Sequence, residues 1–231
     1  MAKPKDPKSV PIVGTADNMR AVYDRFATHD ANAESLGSAS EIDSAASKIR
    51  NFFAALPTGA HVLDVGPGRG DESKTAQTLG LNVTGLDLSE KMQQLYKRNV
   101  PGAGTILGDM TAIDDKYAGK FEAVFCSFSF LHLPREKGIL ALQQFSKVLK
   151  PSGKLFLLTL IGEGVGDMNS GREFLSEAGI ESWYFYHWKL ADLIAQLEKL
   201  KFQVSKQDVF QPIPGRPAAV AIEATFGTRA R

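Results

Sequence analysis

Cysteine is almost absent from this chain. Cys126 stands alone among 231 residues, which excludes an intrachain disulfide and any multi-cysteine metal site. Net charge is just as scarce, since 27 basic and 26 acidic side chains leave +1 at neutral pH. That balance gives no reason to expect a phosphate backbone or an anionic membrane as the main partner. Apolar runs of membrane-spanning length are missing. Residues 1–11 carry lysines and prolines but none of the apolar h-region of a secretory signal. The expectation is a cytoplasmic protein with no nucleic-acid and no membrane partner, acting as a monomer or homodimer.

What is present reads as one globular α/β domain with a modest cap, because hydrophobic residues reach 43% and charged ones 23%. Residues 1–14 have the composition of a flexible tail. Over 15–56 the period is helical: Met19, Val22, Tyr23 and Phe26 form one stripe, and Ile42, Ile49, Phe52 and Phe53 a second. Pro57-Thr58-Gly59 ends that cap segment. From 57 to 231 the chain alternates. Strands are expected at 61–65, 82–86, 104–107, 121–128 and 154–161, with helices at 72–79, 89–99 and 134–150. Such alternation implies a parallel sheet covered on both faces. After a helix at 190–200, apolar stretches at 202–210 and 218–226 lie too close in sequence for a crossover helix, so they must pair antiparallel. The expected fold is a doubly wound, mostly parallel seven-stranded sheet of Rossmann-like type, with an antiparallel strand near one edge. Residues 162–188 form an insert, and its glycines (Gly162, Gly164, Gly166, Gly171) read as a substrate-gating lid.

The chemistry concentrates where the first strand ends. Asp64-Val65 runs into Gly66-Pro67-Gly68-Arg69-Gly70, and a helix follows. Glycines there let the backbone turn tightly and approach a ligand, with helix-terminal N–H groups nearby. Asp87, at the end of the second strand, is placed to accept the two hydroxyls of a ribose. A dinucleotide fingerprint needs a third glycine at position 71, which is Asp71, an acid that repels a pyrophosphate. Asp64 either holds the loop or reaches a cationic group of the ligand.

Over roughly residues 53–226 the sequence resembles the class I S-adenosylmethionine-dependent methyltransferases of small-molecule type. Residues 62–70 resemble their first motif, and Gly85-Leu86-Asp87-Leu88-Ser89 their ribose-binding strand. Gly108-Asp109-Met110 resembles the adenine-binding segment. Residues 121–133 and 149–155 resemble the fourth strand and the helix-turn-strand after it. Pro67 departs from the pattern, where many members carry a more flexible residue. The resemblance implies that 57–231 is an S-adenosyl-L-methionine-binding catalytic domain releasing S-adenosyl-L-homocysteine, with no metal expected. It implies cofactor contacts from Asp64, Gly66, Gly68, Gly70, Asp87, Leu88, Met92, Asp109, Met110 and Ser127. Tyr23 resembles the tyrosine with which many members close over the cofactor, and its ring face also suits a sulfonium.

The fourth strand ends in Cys126-Ser127-Phe128-Ser129. It lacks the acid or amide with prolines and aromatic of nucleic-acid amino methyltransferases, and lacks the paired carboxylates of a magnesium-dependent catechol-type site. Cys126 reads as a small core residue. The acceptor is therefore expected to be a small molecule methylated on O, N or C. His187, in an aromatic cluster before a helix, is the first candidate for a general base, and His132, after the fourth strand, the second. His29 is a weaker third. The alternatives are a cofactor-binding protein of the same fold with a non-methylating role (cyclase, isomerase or regulatory subunit) and a nicotinamide-dependent oxidoreductase, which Asp71 opposes.

Overall fold

The computed structural model describes residues 15–28, 43–165, 184–212 and 217–227. The tail at 1–14, His29, Ile42, Trp183 and most of the expected lid (166–183) lie outside the described residues. The elements are α1 (Ala16–Thr28), α2 (Asp43–Ala54), β1 (His61–Val65), α3 (Asp71–Thr78), β2 (Asn82–Asp87), α4 (Glu90–Asn99), β3 (Gly104–Leu107), β4 (Phe121–Ser127), α5 (Arg135–Val148) and β5 (Leu149–Leu160). A two-stranded pair, β6 (Gly164–Val165) and β7 (Tyr186–His187), precedes α6 (Leu190–Lys199), β8 (Phe202–Phe210) and β9 (Ala219–Phe226).

The main sheet has seven strands in the order β3-β2-β1-β4-β5-β9-β8. β1 is parallel to β2 and β4, β2 to β3, and β4 to β5, while β9 runs antiparallel to both its neighbours. The chain winds outward from β1 in one direction and from β4 in the other. Between those strands lies the switch point at which open α/β sheets bind ligands.

Alternate residues of the central strands feed two cores, as the pleat requires. Leu63, Val65, Val124, Cys126, Leu155 and Leu157 face α5 and α6. Val62, Ala123, Phe125, Phe156 and Leu158 face the opposite side with α2 residues Ile49, Phe52 and Phe53. Phe53 lies 4.8 Å from Phe125, and Phe52 5.2 Å from Phe156, between ring centroids. These tilted aromatic pairs fix α2 onto the sheet. The two helices of the expected cap segment therefore have different surroundings: α2 covers a sheet face, and α1 packs mainly on α4.

Two local departures from the sequence pattern have clear causes. β5 begins at Leu149, five residues earlier than the apolar run, because Leu149 pairs with Phe121 while Lys154 pairs with Ala123. The extra residues bulge at Pro151-Ser152-Gly153, where Ser152 takes φ +64°. The turn signal is real but sits inside the strand. His187, expected only as part of an aromatic cluster before a helix, lies in the strand β7, and the N-cap of the following helix is Lys189. No helix among the described residues is long and apolar enough to cross a membrane.

Candidate functional site

At the carboxyl ends of β1, β2 and β4, the glycine loop takes a conformation that only glycine adopts easily. Gly66, Gly68 and Gly70 have φ of +66°, +53° and +86°. The Gly66 N–H donates to Leu86 O (2.8 Å), and the Gly70 N–H closes the turn on Pro67 O (2.8 Å). From the β4 side, Ser129 Oγ donates to Val65 O at 2.6 Å. A Cβ on Gly66 would lie 2.3 Å from the Ser129 Cβ. On Gly68 it would meet nothing within 4 Å. Gly66 and Gly70 thus face packed protein, and Gly68 faces open space.

Asp64 is 2% exposed and turned inward. Ser73 Oγ on α3 donates to its Oδ2 at 2.6 Å, which leaves the Tyr96 hydroxyl to donate to Ser73 Oγ at 2.9 Å. Burial pushes the Asp64 carboxyl up to about 8, against the opposing Ser73 bond, with Glu72 and Asp87 adding to the rise. An acid raised on folding binds more protons folded than unfolded. Its ionisation therefore erodes stability as pH climbs from about 4 to about 8. Asp64→Asn retains an acceptor for Ser73 and removes that cost. The variant is expected to melt higher than the parent at pH 8 and to show a flatter melting profile between pH 5 and 8. Thermal denaturation of the ligand-free protein checks this, and parallel profiles would refute it.

Asp87 ends β2 with one carboxylate oxygen accepting the Ser89 N–H at 2.8 Å. Burial lifts its carboxyl to about 7, and Asp24 contributes to the rise. Asp24 stands on α1 and accepts from Ser89 Oγ at 2.5 Å. Ser89, not Asp87, is the N-cap of α4, its hydroxyl accepting from the Met92 N–H at 3.0 Å. Gln93 reaches back to donate to both Gly85 O and Ile106 O, which fixes the ends of β2 and β3 together.

Of the other expected contact residues, Leu88 and Met110 are half-buried, and Asp109 accepts the Thr111 N–H at 2.7 Å in a local turn. Met92 is buried with Leu95 beneath Tyr23 and Ala27 of α1. Ser127 closes β4 with a buried hydroxyl oxygen that has no hydrogen-bond partner among the described residues. Phe128, next in the chain, takes φ +50°, a strained position for an aromatic residue and one often found at ligand sites. Asp71 is ion-paired with Arg69 at 2.8 Å. The case against a pyrophosphate there consequently rests on the absent third glycine more than on a bare charge.

His132 is buried between two segments. Its Nδ1 lies 2.9 Å from Tyr184 O and its Nε2 2.7 Å from the Tyr23 hydroxyl. A carbonyl only accepts, so Nδ1 carries the proton and Tyr23 O–H donates to Nε2. Burial holds the imidazole down to about 4, so it is neutral at physiological pH and a poor proton acceptor. His187 differs. It is half-buried, its pKa is lowered by desolvation, and its ring forms no hydrogen bond among the described residues. No described bond ties it to the glycine loop. Ser73, Tyr96, Gln93 and Asp24 support the site without any motif that marks them.

Residues 62–153 match the family described as a methyltransferase domain. A ubiquinone biosynthesis O-methyltransferase of Xanthomonas axonopodis pv. citri is 35% identical over 108 residues, 45% of this chain and 44% of that protein. A demethylmenaquinone methyltransferase of Tropheryma whipplei is 27% identical over 170 residues, 64% of this chain and 68% of that one. The matched stretch thus spans less than half the length of the first of these relatives and about two thirds of the second. Among solved structures, the Burkholderia thailandensis 1,6-didemethyltoxoflavin-N1-methyltransferase aligns with TM-score 0.70 at 16% identity, covering 98% of this chain and 95% of that one. The cyclase SpnF also gives 0.70, at 14% identity, covering 94% and 98%. The methyltransferase-domain match thus covers the part of the chain from β1 to the bulge of β5, which holds the glycine loop, Asp87 and Asp109, and the solved structures share the fold of the whole sheet.

Proposed function

We propose that the protein transfers a methyl group from S-adenosyl-L-methionine to a small-molecule acceptor. The carrying observation is the run of three left-handed glycines between β1 and α3, with Gly68 facing open space. Asp87 at the end of β2, Asp109 beyond β3 and the Ser127 hydroxyl, without a hydrogen-bond partner among the described residues, fit the same ligand. The bound cofactor supplies an electrophilic methyl group on a sulfonium. Asp87 would hold its ribose, Asp109 and Met110 its adenine, and the backbone of Gly66 to Gly70 its amino-acid end. Tyr23 would close over it from α1. Positioning and exclusion of water then carry much of the rate. The acceptor atom stays open among O, N and C, and the quinone-methylating names of the sequence relatives favour an aromatic acceptor.

Where the acceptor carries a proton, His187 is the base, because it is neutral near pH 7 and its ring has no competing bond among the described residues. His187→Ala is expected to lower turnover by roughly 100-fold while leaving S-adenosylhomocysteine affinity unchanged. Full turnover in that variant would mean that positioning alone suffices. Calorimetry with S-adenosylhomocysteine and transfer of labelled methyl to candidate phenols and amines test the whole reading. Tight cofactor binding with no transfer to any acceptor would favour a non-methylating role. Binding of NAD with no response to S-adenosylhomocysteine would sink both.

A further inference from the structure

His132 stands where two parts of the molecule meet. On one side is α1, which lies over the ends of β2 and β4: Asp24 bonds Ser89 beside the ribose acid, and Tyr23 bonds His132 beyond β4. On the other side is the segment 184–188, which carries His187. Its Tyr184 carbonyl accepts from His132, and the Phe185 ring lies 5.2 Å from the imidazole. The Tyr23 ring meets the same imidazole edge-on at 5.5 Å. The segment is then tied to the sheet through Trp188, whose N–H donates to Leu160 O and whose carbonyl accepts from the Gly162 N–H. Trp188 itself is buried, stacked on Phe130 at 5.6 Å.

We infer that His132 is a positioning residue that couples closure of α1 over the cofactor to the placement of the segment 184–188 on the acceptor side. The inference rests on the cofactor reading above. The direction of each hydrogen bond supports it. Tyr23 donates to His132, and His132 donates to Tyr184, so a neutral ring links the two segments through one tautomer. The link is short and directional, buried at the Tyr184 carbonyl and part-buried at the Tyr23 hydroxyl. A purely structural histidine would stabilise the fold equally with and without cofactor. A coupling residue makes the two segments respond together when one is engaged.

Hydrogen exchange followed by mass spectrometry, with and without S-adenosylhomocysteine, separates these cases. In the parent, the ligand is expected to slow exchange in residues 16–28 and in 184–188, each by roughly tenfold. In His132→Leu the slowing at 16–28 persists and that at 184–188 disappears. Tyr23→Phe, which leaves the buried imidazole in place, is expected to reduce the response at 184–188 too, and so covers the case in which His132→Leu fails to fold. His132→Gln, able to donate and accept, should restore part of the coupling. Full protection of 184–188 in folded His132→Leu or in Tyr23→Phe overturns the coupling while leaving the cofactor site intact. Absence of ligand binding by the parent overturns the cofactor reading and this inference with it.

Discussion

Replacing Asp87 by alanine is expected to weaken S-adenosylhomocysteine binding about 100-fold, with the protein still folding cooperatively. A hydrogen bond to a charged acceptor contributes roughly 1.5–3 kcal/mol, and a ribose offers Asp87 two hydroxyls. Part of that gain is offset because Asp87 is already drawn into the protein and bonded to the Ser89 N–H. A net loss near 2.7 kcal/mol, or two decades of affinity, is the reasonable scale. The fold should survive because α4 keeps its true cap, the Ser89 hydroxyl on the Met92 N–H.

The pH dependence adds a second signature. The Asp87 carboxyl is held up near 7 by burial, with Asp24 adding to the effect. In the ligand-free protein it is only partly ionised at neutral pH, and the ionised form is the better acceptor for hydroxyls. Affinity should rise from pH 6 to pH 8 in the parent and stay flat in Asp87→Asn. The sign for stability is opposite. A raised acid binds more protons folded than unfolded, so it weakens the ligand-free protein as pH climbs towards 7. Calorimetry across that range, with melting curves alongside, measures both. A folded Asp87→Ala protein that binds like the parent would reduce Asp87 to a turn residue.

The sheet was legible because its signal is local and repeated. Apolar runs such as Val124-Phe125-Cys126 and Phe156-Leu157-Leu158 serve two cores at once, and only a strand buried on both faces needs such continuity. The short connection between β8 and β9 fixed their antiparallel pairing. The glycine loop was equally legible, since left-handed backbone leaves its mark as glycine. What the pattern did not carry were the long-range polar links. Tyr23 and His132 are 109 residues apart, and Ser129 and Val65 are 64 apart. Asp64 offered two roles from sequence, and its bond to Ser73, which in turn bonds Tyr96, is one that no local rule would single out. The β6–β7 pair escaped notice because each strand is two residues long, below the length at which alternation has meaning. Shared topology also stops short of chemistry. A methyltransferase and a cyclase align equally well with this sheet, so the reaction has to be argued from side chains.

Gly70→Ala is expected to destabilise the ligand-free protein by about 2–5 kcal/mol. Two terms add. The left-handed backbone, at φ +86°, costs an alanine about 1–2 kcal/mol. The new Cβ would then lie 2.3 Å from Val100 Cγ2 and 2.8–3.0 Å from the Tyr96 ring, and overpacking of this kind costs about 1–3 kcal/mol. Neither neighbour can retreat easily, because Val100 and Tyr96 are both fully buried. The Tyr96 hydroxyl also holds Ser73, which holds Asp64, so displacing the ring disturbs the base of the loop. Gly68→Ala is the informative partner. Its backbone, at φ +53°, carries a similar strain, yet its Cβ meets nothing within 4 Å. That variant should lose only about 1–2 kcal/mol while binding S-adenosylhomocysteine at least tenfold more weakly, because the methyl group would occupy space left for the ligand. Urea unfolding of both ligand-free variants, followed by titration of whichever folds, separates the two effects. Equal unfolding midpoints would contradict the assignment of Gly70 to the core, and parent-like affinity in Gly68→Ala would remove the open face of the loop from the binding site.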